Sequence, residues 1–263
     1  MKNKMLWYLA LIPVIALLIF NVVIPSTCSR ETDAVVNDST ADAAKDDSLV
    51  VREETLRDEL LQTEDQGNVN PNEKKTLIWK LTLVNGDNPL PDEFVPVLSE
   101  VCEGYMFDSR AVEPLEAMME AGDKAGLKLR ICSAYRTYEV QAKLYEGEVA
   151  KQRAKGLSEA DAIVEGKRTV AYPGESEHNL GLAVDIFSED YPYLEEGFAD
   201  TLEAIWLKEH CAEYGFILRY PKDKTDITGI IFEPWHFRYV GVEAATYMME
   251  KGLTLEEYLE LVD

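Results

Sequence analysis

Two of the chain's three histidines stand close to carboxylates. They occur in two short stretches, Ser176-Glu177-His178-Asn179-Leu180-Gly181-Leu182-Ala183-Val184-Asp185 and Glu233-Pro234-Trp235-His236. Imidazole nitrogen and carboxylate oxygen are the donors of a catalytic zinc site, which takes three protein ligands and leaves a fourth position to water. His178, Asp185 and His236 could supply those donors, with Glu233 left free nearby to move a proton. A lone histidine reads as a satisfied structural residue. Two of them, each with a carboxylate partner inside a burst of Gly, Pro and Trp, fit a metal site as well as a structural pair. His210 has no such company and reads as a surface or helix C-terminal capping residue.

These side chains meet only if the backbone brings them together. His178 and Asp185 are seven residues apart and would not face each other along one strand. They converge if His178 lies in the loop entering a strand and Asp185 on the strand itself, with Gly181 allowing the turn between. Glu233 and His236 flank Pro234 and Trp235; they belong at a strand end, facing one cavity, while Trp235 points away and packs.

The surrounding pattern supplies the elements. Residues 110–125 carry Val112, Leu115 and Met119 on one helical face, Pro114 can begin that helix and Gly126 stops it. Residues 127–131 alternate as a half-buried strand does. Thr137 opens a helix to about residue 152, with Val140, Leu144 and Tyr145 expected inward. Ser158-x-x-Asp161 resembles a helix cap, and Tyr172-Pro173-Gly174 a loop. Residues 182–187 read as a buried strand and 199–214 as a helix ended by Gly215. Residues 216–220 and 229–232 read as a hairpin around a long polar loop. Residues 242–251 and 255–262 read as closing helices, the last capped by Thr254 with Glu257. Helices first, then strands grouped around the two motifs, indicate an α+β domain with an antiparallel sheet and flanking helices.

The formal charge of −23 argues against nucleic-acid binding, which draws its affinity from basic groups, and against docking on an anionic membrane surface. Met1-Lys2-Asn3-Lys4 is basic, and residues 5–25 form an uncharged run of about 21 residues, long enough for one transmembrane helix even with Pro13 inside it. The flanking lysines would hold that end in the cytoplasm and export the rest. A cleaved signal peptide has a shorter apolar stretch, about 7–15 residues. Ile24-Pro25-Ser26-Thr27-Cys28 is also a poor cleavage or lipidation site, so the length favours an uncleaved signal-anchor over residues 1–25. Residues 26–75 are acidic, polar and free of aromatics, as a disordered linker is, apart from a short helix conceivable over 49–61. A flexible chain of about 50 residues spans roughly 40 Å root-mean-square. Globular patterning starts near residue 77, which sets the folded domain at 76–263. Of the four cysteines, Cys28, Cys102, Cys132 and Cys211, none forms a CxxC pair. No disulfide is assigned, and Cys132 and Cys211 are expected as buried free thiols.

Several motifs in order carry a family resemblance across essentially all of residues 77–263. They are Ser133-Ala134-Tyr135-Arg136 with Gln141, Ser176-Glu177-His178 through Asp185, Tyr214-Gly215-Phe216, and Leu218-Arg219-Tyr220-Pro221. Thr228-Gly229 and Glu233-Pro234-Trp235-His236-Phe237-Arg238-Tyr239 complete the set. The domain resembles the VanY-type D-alanyl-D-alanine carboxypeptidases, zinc peptidases of the wider lysostaphin-like and Hedgehog-like group. That resemblance implies one Zn2+ per chain held by His178, Asp185 and His236, with Glu233 as catalytic base. It implies Arg136 as the cation that shares the charge of the tetrahedral intermediate or grips the substrate carboxylate. Ser133, Gln141 and Ser176 would add hydrogen bonds to the same ligand. The implied substrate is a peptidoglycan stem peptide, cut D,D or L,D, on the outer side of a bacterial cytoplasmic membrane by a monomeric enzyme. Two other readings stand beside it: a D,D-dipeptidase or cross-link endopeptidase of the same fold, and a zinc-bearing peptidoglycan-binding module without catalysis, against which retention of Glu233 and Arg136 argues. Phe232 departs from the Tyr many relatives carry before the Glu, which bears on substrate preference.

Overall fold

The computed structural model describes residues 79–262, apart from Glu93 and Glu103. The expected anchor, the linker and the short helix over 49–61 lie outside the described residues. No helix among the described residues is long and apolar enough to cross a membrane.

Among the described residues, six strands and eight α-helices follow in chain order, together with three short 3-10 turns. A small hairpin of β1 (Leu98–Glu100) and β2 (Met106–Asp108) leads into α1 (Val112–Lys124) and β3 (Leu129–Ser133). Next come α2 (Tyr138–Ala154), α3 (Glu159–Thr169), the single turn α4 (Glu177–Leu180) and β4 (Ala183–Ser188). The chain closes with α5 (Leu202–His210), β5 (Phe216–Leu218), the single turn α6 (Thr225–Thr228), β6 (His236–Tyr239), α7 (Val242–Lys251) and α8 (Leu255–Val262). The last four strands form one antiparallel sheet in the order β3-β4-β6-β5. The α+β expectation holds in this domain.

Side chains alternate across a strand, and directly opposed residues share a face. Asp185 opposes Ser133 on one side and His236 on the other, so those three stand on one face. The intervening positions, Val184, Ile186 and Phe237, point the other way into the main hydrophobic core with Leu129, Leu115, Met118 and Leu207. A second cluster around Ile217, Val240, Met248, Leu255 and Tyr258 holds the two closing helices.

Local signals set the boundaries. Thr137 accepts the Val140 N–H and Ser158 the Asp161 N–H, which caps α2 and α3. Thr254 and Glu257 exchange reciprocal side-chain-to-backbone bonds at 2.8 and 3.2 Å at the start of α8. Gly215 sits at φ 81°, where a side chain would collide with the Gly241 backbone, and this fixes the turn into β5.

Four expectations are corrected. The partner of β5 is β6 rather than residues 229–232. Those residues follow the left-handed Gly229 and run into Pro234, whereas His236–Tyr239 has a strand on each side to pair with. Val140 and Leu144 face solvent, because α2 packs on α3 through Val149 with Glu148 and Gln152, and turns Gln141 inward. The helix expected over 199–214 is a 3-10 turn at Glu196–Asp200, then α5, then a second 3-10 turn at Cys211–Tyr214. Cys211 is buried as expected, but Cys132 is exposed. The β3–β4 register slips between Ile131 and Ser133, and Cys132 is the extra residue of that bulge. Paired regularly, Cys132 would oppose Asp185 and Ser133 would face the core.

Candidate metal centre and active site

His178 rides on α4, a single turn capped by Ser176, whose Oγ accepts the His178 N–H. Gly181, at φ 83°, ends that turn and swings the chain into β4, which delivers Asp185. His236 opens β6 beside it. One ligand atom from each of His178, Asp185 and His236 lies within 4.8 Å of the others, and all three residues are buried. Nε2 of His178 is 3.2 Å from Asp185 Oδ2, and Nδ1 of His236 is 3.0 Å from Asp185 Oδ1. Zinc bonds of about 2.0–2.2 Å put tetrahedral donors roughly 3.3–3.6 Å apart, so this N, N, O set fits one zinc ion.

The imidazoles are held from behind. Nδ1 of His178 donates to the Ala134 carbonyl at 2.7 Å, which leaves Nε2 as the donor facing the centre. His236 is turned the other way: Nδ1 faces Asp185, and Nε2 lies 3.5 Å from Glu177 Oε2. The two rings meet edge to face with centroids 4.9 Å apart.

Glu233 reaches the same cavity. Its backbone is pinned by the Tyr220 carbonyl, and its Oε2 stands 3.7 Å from Nδ1 of His236. Trp235 turns into the core, as expected. Arg136 completes the group: Nε donates to Ser133 Oγ at 2.7 Å, Nη1 to Gln141 Oε1 at 3.3 Å, and Nη2 to Asp185 Oδ2. Gln141 is itself oriented by donating to the Ala171 carbonyl at 2.8 Å. His178, Asp185, His236, Glu233, Arg136, Ser133 and Gln141 thus stand in one connected group, which Ser176 touches only through the His178 N–H that its hydroxyl caps. His210 takes no part in it; its ring lies tilted against Trp206 and it is paired with Glu213 at 2.8 Å.

Charge and burial tune these groups in opposite directions. Burial, helped by the Arg136 guanidinium, pulls His178 down to about 4, so its ring is neutral at pH 7 as a metal ligand must be. Burial also opposes charge on His236, but its hydrogen bonds to Asp185 and Glu177 win and raise it to about 9. Burial pushes Glu233 up to about 8, the range of a group that both takes and returns protons near neutrality. Asp185 stays well below the usual carboxylate range despite its burial, because His178 and Arg136 favour the anion.

Two features were not singled out from the sequence. Glu177, Arg219 and Arg238 form a buried ionic group behind His236. Asn179 ties the Arg136 carbonyl to the Gly174 N–H, at 2.7 and 3.0 Å, and so fixes Arg136 against the turn bearing His178. The available signal was an arginine in the middle of the aromatic strand segment Phe237-Arg238-Tyr239, on the parity of His236. A groove of about 1080 Å3 lined by Ala204, Ile205, Leu218, Phe232, Pro234 and Met249, among others, contains none of these donors. Converging ligands, rather than concavity, locate the chemistry here.

Comparison with known proteins agrees with this geometry. Residues 105–242 match the family model for VanY, D-alanyl-D-alanine carboxypeptidase. A D-alanyl-D-alanine carboxypeptidase of Enterococcus faecalis is 43% identical over 183 residues, covering 69% of this chain and 66% of that protein. A zinc-bound crystal structure of a mutant of the vancomycin-resistance D,D-pentapeptidase VanY is 42% identical with a TM-score of 0.63. It covers 69% of this chain and 99% of its own. The LD-carboxypeptidase LdcB is 37% identical with a TM-score of 0.61, over 69% of this chain and 86% of that one. The chain belongs to the VanY family of D-alanyl-D-alanine carboxypeptidases.

Proposed function

We propose that this chain is a zinc-dependent carboxypeptidase that removes the C-terminal D-alanine from peptidoglycan stem peptides, with D,D cleavage preferred over L,D. The carrying observation is that His178, Asp185, His236, Glu233 and Arg136 converge at one end of one sheet face. His178, Asp185 and His236 would hold a single Zn2+. The bound ion would supply Lewis acidity to the scissile carbonyl and make water acidic enough to attack at neutral pH.

The chain's own groups do the rest. Glu233 takes the proton of the attacking water and passes it to the departing amine of D-alanine, so hydroxyl adds to the carbonyl carbon as the C–N bond breaks. Arg136 presents a planar fork to the substrate's terminal carboxylate or to the developing oxyanion. Ser133 and Gln141 hold that fork in place, and both would be polar neighbours of the bound peptide. Ser176 contributes through the turn that it caps. The uncharged run over residues 5–25 supports placing the domain on the outer side of a bacterial membrane as a single-pass protein. Surface proteolysis of intact cells tests this: a domain protected from protease refutes the outer location.

The deciding experiment digests synthetic muramyl penta- and tetrapeptides with and without a chelator and reads the products by mass spectrometry. Chelator-sensitive loss of one D-alanine from the pentapeptide is expected. No such release from either peptide sinks the enzymatic reading. Release from the tetrapeptide alone reverses the D,D preference.

A further inference from the structure

Glu177 immediately precedes the ligand His178, yet its side chain leaves the centre and passes behind the other histidine. Its carboxylate is fully enclosed between two arginines that are themselves buried. Oε1 accepts Arg219 Nε at 2.8 Å and Arg238 Nη1 at 2.7 Å. Oε2 is left facing Nε2 of His236 at 3.5 Å. Neither arginine is free to move. Arg238 also donates to the carbonyls of Lys80, Thr82 and Tyr239 at 2.9, 2.8 and 3.0 Å. Arg219 forks onto Glu256 of α8 at 2.8 and 2.6 Å.

We propose that Glu177 is a positioning residue that fixes the orientation and tautomer of His236, holding the proton on Nε2 so that Nδ1 faces the metal centre. The proposal rests on the reading of His236 as a zinc ligand. A neutral imidazole carries one N–H, and the acceptor behind it decides which nitrogen is left for a metal. His178 has a backbone carbonyl in that role; His236 has Glu177. A buried anion is costly unless paired and hydrogen-bonded, so the two arginines are what allow a carboxylate to stand there. The single turn α4 thereby sets both histidines, one directly and one from behind. Arg219 extends the support to the C-terminal helix.

The test uses the full chain and zinc alone. In the zinc-loaded wild type, imidazole 15N–1H correlation should show a slowly exchanging, downfield Nε2–H on His236, readily assigned in a chain with three histidines. A His236 proton on Nδ1, or a rapidly exchanging one, overturns the proposal without any variant. Glu177→Gln should weaken zinc affinity about 10–100-fold by chelator competition and move the His236 signal. Glu256→Gln, which cuts the same arginine network on its outer side, should lower Tm while leaving zinc affinity and the His236 signal unchanged. Equal loss of zinc affinity in both variants, or loss of Tm alone in Glu177→Gln, assigns Glu177 a purely structural role and overturns the proposal. A wild type that binds no zinc refutes the metal centre itself and is distinguished from these results at the outset.

Discussion

The two faces of the four-stranded sheet are built from alternating residues of the same strands, yet they answer to opposite physics. On one face Val184, Ile186, Phe237 and Leu129 are removed from water into a close-packed core. On the other, Asp185, His236 and Arg238 hold charges at nearly equal burial, with the half-buried Ser133 beside them. The core face is satisfied by any shapes that fill space. The polar face is stable only because nearly every charge has a designated partner, and removing one leaves the others uncompensated. Chemistry and stability are thus separated by parity along the strand.

That separation can be broken deliberately. The largest effect should come from His236→Ala, which removes a ligand from the polar face: zinc and turnover should both be lost, and metal analysis showing full zinc would falsify the ligand role. Glu233→Ala should keep the metal while kcat falls about 10²–10⁴-fold, the range of general acid–base catalysis. Near-normal turnover in that variant would remove Glu233 from the mechanism. Phe237→Ala, one residue along from His236 but on the core face, should cost about 3–5 kcal/mol in denaturant unfolding. Its folded fraction should still bind zinc, and loss of affinity without loss of stability would contradict the two-face division.

A smaller effect concerns pH. In the metal-free protein Glu233 is raised to about 8 and His236 to about 9. A group whose folded pKa is raised contributes stability that is present below its unfolded value and lost as pH climbs through the folded one. Between pH 7 and 9 the metal-free Tm should therefore fall, with Glu233 contributing up to about 8 and His236 up to about 9. His178, lowered to about 4, acts only on the acid side of that window. Zinc loading at pH 7 should release protons, and calorimetry in buffers of different ionisation enthalpy would register none if both groups were already deprotonated. Least of all, Cys132→Ala at the exposed bulge should change Tm little, and a marked loss would show that the thiol packs.

How much of this was legible in the sequence depends on range. Caps at Thr137, Ser158 and Thr254 act over three residues, and each was readable as a local signal. His178, Asp185 and His236 announced themselves by residue type. The hairpin over 229–232 was wrong because strand pairing is decided by distant partners, and β6 had two. Val140 and Leu144 misled because the buried face of α2 is chosen by α3 and the site, which select Gln141, Glu148 and Gln152 over larger apolar groups. Glu177 was visible only as a charged letter beside a ligand, since its partners lie 42 and 61 residues away.

The bulge at Cys132 has a consequence for how this domain tolerates insertions and deletions. It acts as a phase slip: Ile131 obeys the inward rhythm of the strand before it, and Ser133 the outward rhythm after it. Loss of Cys132 alone would leave Ile131 opposite Ile186 and Ser133 opposite Asp185, so the ladder would simply become regular. Loss of one residue from within Val184 to Ile186 has no such absorber. It would exchange the faces, presenting core side chains to the metal centre and Asp185 to the core. The sheet therefore has one place where its length can change by a residue without turning the enzyme inside out.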